Sequence, residues 1–124
     1  MKIKIYINFD LSLRGDYKGL YKWLDKYNAE ERGNGYALIK EYLFPDSEIE
    51  GVTDFKDKNF KLINFIRKDI KKYAEIGSSD RIYLTLKTLG RGNLGGAFLF
   101  GRQQATPWEG YYQESTDSEI DIDL

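Results

Sequence analysis

Two side chains on which many enzymes depend are missing from this chain of 124 residues, which holds no cysteine and no histidine. Without cysteine there is no disulfide framework and no thiolate nucleophile, and without histidine there is no Ser–His or Cys–His pair. The usual zinc sites are excluded for the same reason. An enzyme of this composition would have to work with carboxylates, Lys, Tyr, Arg or a hard, oxygen-liganded metal such as Mg²⁺.

Long apolar runs are missing as well. No stretch approaches the ~20 apolar residues that a membrane span needs, so we expect no membrane contact. The N-terminal MKIKIYINFD alternates between polar and apolar residues from its second position, which is typical of a strand and not of a signal peptide. Together with the absence of cysteine, this pattern indicates a cytoplasmic protein as the default.

What the chain does contain is sufficient for one folded unit. Apolar residues make up 41% of it, and a chain of this length can bury a single core without disulfides or a metal. The end of the chain, ESTDSEIDIDL, differs because it holds five acidic residues and no basic one. We therefore predict a single α+β domain over residues 1–113 and an acidic C-terminal tail over residues 114–124.

Hydrophobic periodicity predicts five strands. A period of two indicates strands over residues 2–10 and 81–89, and residues 97–102 follow as a hairpin partner. Residues 36–44 suit either one face of a helix or a strand. We interpret them as a strand, because the segment is short, aromatic and flanked by Gly and Pro, and we place a short partner strand at residues 49–53.

Two helices are predicted between these strands. Residues 17–28 repeat their apolar positions every three or four residues, and Asp16 precedes them as a candidate N-cap. The second helix, capped by Asn59 or Asp57, carries an apolar stripe of Leu62, Ile63, Ile66, Ile70 and Tyr73. We expect this stripe to meet Ile5 and Ile7 of the first strand.

The order of elements is therefore β-α-β-β-α-β with an additional C-terminal strand. Two helices that cover one face of an antiparallel sheet form the ferredoxin-like arrangement, which is an α+β fold. This is the fold class that the sequence predicts.

Two motifs have simple structural interpretations. GRGNLGG, residues 90–96, has the glycine spacing of a dinucleotide fingerprint, but a strand and not a helix is expected to follow it. We interpret it as a hairpin turn. The second helix also carries basic residues that are either a solvated face or a phosphate-contacting stripe, and we favour the solvated face: Arg67, Lys68, Lys71 and Lys72.

The segment GRQQATPWEGYYQ, residues 101–113, gathers aromatic residues outside any periodic pattern. Either one of them lies over the open end of the core, or they form a binding surface. The acidic tail is either a disordered end or a strand that adds to a sheet edge, because its acidic and apolar residues alternate. Our candidate partner-binding residues are Arg102, Trp108, Tyr111, Tyr112, Glu119, Asp121 and Asp123.

Asp10 ends the first strand, and an aspartate at that position is either a turn residue or a metal-binding carboxylate. The run INFDL, a loop and then DYKGLYKWL resembles the start of ferredoxin-like proteins of the CRISPR-associated adaptation-ribonuclease superfamily, which includes the virulence-associated D toxins. FIRKDIKKYAEIGSSDRIYLTLK is similar to their second helix, turn and fourth strand. The resemblance implies a homodimer, and it implies Mg²⁺-dependent cleavage of RNA or DNA with Asp10 as the metal ligand.

Our interpretation is a non-catalytic binding protein without a cofactor that occupies a surface of another macromolecule. In character the chain resembles phage- or mobile-element-encoded inhibitors of bacterial defence systems and immunity proteins. The expected partner is a protein, such as a nucleic-acid-binding protein with a basic surface that attracts the acidic tail. The alternative is a Mg²⁺-dependent endonuclease that uses Asp10, and a purely structural domain is a third reading.

Overall fold

The computed structural model describes residues 1–112, which form a five-stranded antiparallel sheet and two α-helices. In chain order the elements are β1 (Lys2–Asp10), α1 (Tyr17–Lys26), β2 (Glu30–Gly33), β3 (Tyr36–Leu43), a 3₁₀ turn (Asp46–Ile49), α2 (Phe55–Lys71), β4 (Arg81–Lys87) and β5 (Leu94–Phe100). The order of strands across the sheet is β2-β3-β1-β4-β5, and every neighbouring pair is antiparallel. The prediction of an α+β protein with an antiparallel sheet is confirmed.

The core lies between one face of the sheet and the two helices. Alternation along β1 turns Ile5 and Ile7 inward, where both are fully buried, and the apolar stripe of α2 meets them there. Ile66 is fully buried in the same cluster, while Ile63 is half-buried and packs at its margin. The expected contact between β1 and α2 is therefore confirmed.

The predicted N-cap is correct for α1 and wrong for α2. Asp16 is the N-cap of α1 as predicted, and its Oδ1 accepts from the backbone N–H of Gly19 at 2.8 Å. The cap of α2 is Asp54, so the prediction of Asn59 or Asp57 is wrong. Asn59 has a different role. Its side-chain Nδ2 donates to the carbonyl of Leu89 and its Oδ1 accepts from the N–H of Leu89, which ties α2 to the turn after β4.

The partner of β3 is also not the predicted one. Residues 49–53 form the end of the 3₁₀ turn and a hydrogen-bonded turn after it, whereas β3 pairs with β2, which lies just before it. The chain reverses at Asn34 and Gly35, where Gly33 and Gly35 adopt φ values of +141° and +72° that favour glycine. An Asn-Gly pair before an apolar run is a hairpin signal, but the polar residues of β2 have no apolar alternation that would mark the first strand of this hairpin.

A bulge in β3 explains why this segment looked partly helical. Ile3 pairs with Tyr42 and Ile5 with Ile39, so β3 holds one more residue than β1 between these two pairs. Ile39 and Tyr42 are three residues apart, yet both are fully buried on the same face. The prediction of a strand at residues 36–44 is confirmed.

The glycine-rich segment joins β4 to β5 as a hairpin, as predicted. Gly90 and Gly92 have φ values of +89° and +75°, which the turn requires. β5 begins at Leu94, three residues earlier than expected, so Gly95 and Gly96 lie within the strand. A strand and not a helix follows the motif, so this segment has no helix N-terminus that could hold a pyrophosphate.

Candidate functional site

Asp10 lies at the last position of β1, directly opposite Arg81 at the first position of β4. Its Oδ2 accepts a hydrogen bond from Arg81 Nη2 at 3.2 Å, although the Asp10 side chain is 71% exposed. Asp10 therefore ends β1 as the sequence predicts, and its side chain forms an ion pair with Arg81 of the neighbouring strand. A guanidinium at this distance also opposes the binding of a cation, because two positive charges would then lie beside one carboxylate.

Two other carboxylates near this end of the sheet accept hydrogen bonds from backbone amides. Besides capping α1, Asp16 accepts from the N–H of Glu75 at 2.9 Å, and the amides of Glu75 and Gly19 hold its pKa below the usual value. Burial of Asp80 by itself raises the pKa of its carboxyl group. Hydrogen bonds from the amides of Ser12 and Gly77 outweigh this effect and hold the pKa below the usual value. Both side chains have structural roles.

These donors do not fit a magnesium site within one chain. Mg²⁺ requires several oxygen ligands, and Asp10 supplies one carboxylate that an arginine already contacts. In residues 1–112 no three acidic side chains come together in a group that could hold a metal ion.

A buried aspartate that the sequence analysis did not single out connects three elements of the core. Asp69 of α2 is only 4% exposed, and its Oδ2 accepts from Trp23 Nε1 at 3.1 Å, from Tyr42 Oη at 2.9 Å and from Tyr27 Oη at 2.5 Å. Burial raises the pKa of Tyr42 and of Tyr27, and the hydrogen bond to Asp69 and the charge of Asp69 raise both further. Both phenols therefore stay protonated and donate to the carboxylate.

This cluster is structural in character. Its members lie on α1 and its C-cap residue, on β3 and on α2. Every buried polar side-chain atom in the described part of the chain has a hydrogen-bond partner. One signal in the sequence could have revealed it. Asp69 stands three residues after Ile66 and four before Tyr73, so it occupies the inward stripe of α2, where a carboxylate needs partners.

The aromatic segment after β5 is exposed. The side chains of Trp108, Tyr111 and Tyr112 are 73%, 70% and 90% exposed, and Arg102 is exposed as well. Backbone hydrogen bonds from Glu109 to Thr106 and from Tyr111 to Trp108 form the turn that carries these rings. The alternative in which one of these three covers the core is therefore wrong. Glu119, Asp121 and Asp123 lie outside the described residues.

The four basic residues singled out on the second helix differ in their contacts. Arg67 donates from Nε to the carbonyl of Leu99 at 2.6 Å and from Nη2 to that of Phe98 at 3.2 Å, which holds β5 against the helix. Lys71 lies over the ring of Phe100, with Nζ 5.8 Å from its centroid. Lys68 and Lys72 are exposed. Because two of the four have intramolecular partners, the arrangement favours a structural and solvated face over a phosphate-binding stripe.

The described residues thus define a small α+β protein in which Asp10, Asp16, Asp69 and Asp80 have partners within the fold and the aromatic segment is exposed. No protein-family model matches the chain, and comparisons with curated proteins and with solved structures found no match. Neither of the two helices in residues 1–112 combines the length and apolar character that crossing a membrane requires.

Proposed function

We propose that this protein is a non-catalytic binding protein that occupies a surface of another macromolecule. The observation that carries the proposal is the exposure of Trp108 and Tyr111 on a turn formed by backbone hydrogen bonds. Tryptophan and tyrosine are enriched in interface hot spots, and loops on a rigid scaffold commonly carry binding residues. Arg102 and Tyr112 belong to the same exposed segment.

The state of the carboxylates supports binding over catalysis. A chain without histidine and cysteine depends largely on carboxylates for enzymatic chemistry, and the four carboxylates described above have structural contacts. Arg81 pairs with Asp10, backbone amides contact Asp16 and Asp80, and three side-chain donors surround Asp69. We assign the protein to the functional class of phage- or mobile-element-encoded inhibitors and immunity proteins, which bind a protein partner.

We also infer a ferredoxin-like arrangement for β1 to β4. Its support is that each helix connects two strands with one antiparallel strand between them: α1 joins β1 to β2 across β3, and α2 joins β3 to β4 across β1. The sheet as a whole differs in strand order from a four-stranded ferredoxin-like sheet, because β5 is added beside β4.

The experiment that tests the binding function is affinity capture from the native host with the immobilised full chain. Proteins retained by the wild type are identified by mass spectrometry and compared with those retained by Trp108→Ala and Phe60→Ala. Phe60 is an exposed aromatic residue of α2 and serves as the matched control. We expect a partner that the wild type and Phe60→Ala retain and Trp108→Ala loses. Equal retention by all three variants would contradict the proposed surface.

The alternative endonuclease function has a separate test. Incubation of RNA and DNA with the purified protein and Mg²⁺ or Mn²⁺ should leave both intact, and Asp10→Asn should behave as the wild type. Metal-dependent cleavage that Asp10→Asn abolishes would establish the endonuclease and overturn the binding function.

A further inference from the structure

The face of the sheet opposite the helices carries its own row of aromatic rings. Strand register places Tyr36 of β3 beside Asn8 of β1, Asn8 beside Tyr83 of β4, and Tyr83 beside Phe98 of β5. Tyr6 projects from the same face of β1, two residues from Asn8. We call this surface, defined by Tyr6, Asn8, Tyr36, Tyr83 and Phe98, the open face.

Four aromatic rings of the open face pack in two edge-to-face pairs. Tyr6 and Tyr36 meet edge to face with centroids 5.8 Å apart, and Tyr83 and Phe98 do so at 4.8 Å. Tyr83 leans over Gly96, where an added Cβ would lie 2.7 Å from the Tyr83 ring carbon Cε2. The glycine thus lets this ring lie close to the backbone of β5, and all of these rings remain partly accessible to solvent.

Cationic and amide side chains adjoin these rings. Lys4 and Lys87 are exposed, have no carboxylate partner in residues 1–112, and line one shallow depression with Tyr6 and Leu94. Asn8 is exposed between two of the rings, and its side chain makes no hydrogen bond to the described residues. The surface therefore offers aromatic faces, two positive charges and an unused donor and acceptor.

This combination favours one kind of occupant. A second copy of the open face would bring four lysines together, and the only carboxylate of β1 on this face, Asp10, is already paired with Arg81. An apolar partner would leave the lysines and Asn8 without partners. A single strand of RNA offers a partner to the rings, to the lysines and to Asn8. Its bases stack on aromatic rings and its phosphates pair with lysines. Its base edges and 2′-hydroxyls accept and donate hydrogen bonds.

We propose that the open face binds single-stranded RNA, with bases stacked on Tyr83 and Tyr6 and phosphates held by Lys4 and Lys87. Asn8 contacts a base edge or a 2′-hydroxyl from its position between the rings. This site shares no residue with the proposed partner surface at residues 101–112, so Trp108→Ala should leave RNA binding unchanged. Failure of one proposal therefore does not imply failure of the other.

The first test measures fluorescence anisotropy of a labelled RNA strand of about ten nucleotides titrated with the full chain at low salt. Matched single-stranded DNA and duplex RNA are the comparison ligands. We expect the RNA strand to bind tighter than both. Tyr83→Leu should weaken its binding at least about fivefold, the lower end of the effect of one stacked base, whereas Tyr21→Leu on α1 should not.

The second test changes two exposed lysines that take no part in the packing of the core. The variant Lys4→Gln/Lys87→Gln should reduce the slope of log affinity against log salt by about 1.4, because two phosphate contacts are lost. The control Lys18→Gln/Lys22→Gln removes the same charge from α1 and should leave the slope unchanged. Thermal unfolding by circular dichroism establishes that each variant is folded.

Several results would overturn the proposal. One is the absence of saturable RNA binding by the folded wild type at low salt. Another is a slope that falls equally in the two double lysine variants, which would indicate non-specific attraction. Duplex RNA or DNA bound as tightly as the RNA strand would contradict the stacking and 2′-hydroxyl contacts. A wild-type dimer in sedimentation that Tyr83→Leu dissociates would assign the open face to a second copy.

Discussion

Removal of the Asp69 carboxylate should destabilise the fold more than most single changes. Trp23 Nε1 and Tyr42 Oη belong to fully buried side chains, and both donate to Asp69 Oδ2, so Asp69→Ala leaves two buried donors without an acceptor. Each unsatisfied group costs roughly 1–3 kcal/mol. Tyr27 is half-buried and can turn to water, so we assign it no such cost. The expected loss is about 2–6 kcal/mol, which is a large fraction of a typical stability of about 5–15 kcal/mol.

The assay is urea unfolding monitored by circular dichroism, with Tyr42→Phe as the second arm of a double-mutant cycle. Tyr42→Phe alone removes a hydrogen bond to a charged group and should cost about 1.5–3 kcal/mol. In the Asp69→Ala background the same change removes an unsatisfied hydroxyl and should cost little or stabilise. A coupling energy below about 0.5 kcal/mol, or a loss under about 1 kcal/mol for Asp69→Ala, would refute this reasoning.

Three further predictions follow from the core, the cap of α2 and the buried Asp80. Ile66→Ala should lower the free energy of unfolding in urea by about 2–5 kcal/mol, because Ile66 is fully buried; a loss under about 1 kcal/mol would contradict its position. Asp54→Ala should cost about 0.5–2 kcal/mol and more than Asp57→Ala, since Asp54 is the cap; the reverse order in the same assay would contradict this. The pKa of Asp80 is lowered in the fold, so its stabilisation is present above the unfolded value of about 3.9 and is lost as pH falls through the folded value. Asp80→Asn should flatten the acid limb of the stability profile, and an unchanged limb would contradict the assignment.

Local patterns in the sequence predicted the elements whose period is regular. β1 alternates without interruption, and α2 carries its stripe through Leu62, Ile66 and Ile70, so both were found. β2 was missed because it has four mostly exposed polar residues and therefore no apolar alternation. The bulge in β3 breaks the period of two, which is why that strand resembled a helix.

The contacts that decide the candidate site are long-range and were not readable from spacing. Asp69 meets Trp23 and Tyr27 across more than 40 positions, and Asp10 meets Arg81 across 71. Exposure of Trp108 was one of two alternatives, because nothing in a segment without periodicity tells which way a ring points. The open face required strand register, which places Tyr6 and Tyr83 on one surface only once β1 and β4 are paired.

The central claim is that the exposed aromatic segment holds a macromolecular partner, and the dissociation rate of the captured partner tests it most directly. With the partner immobilised, Trp108→Ala should raise the dissociation rate about 30-fold, equivalent to a hot-spot loss of about 2 kcal/mol, while Phe60→Ala should leave the rate unchanged. Both side chains are exposed, so neither change should alter thermal stability appreciably. Equal dissociation rates for the wild type and Trp108→Ala would contradict the account.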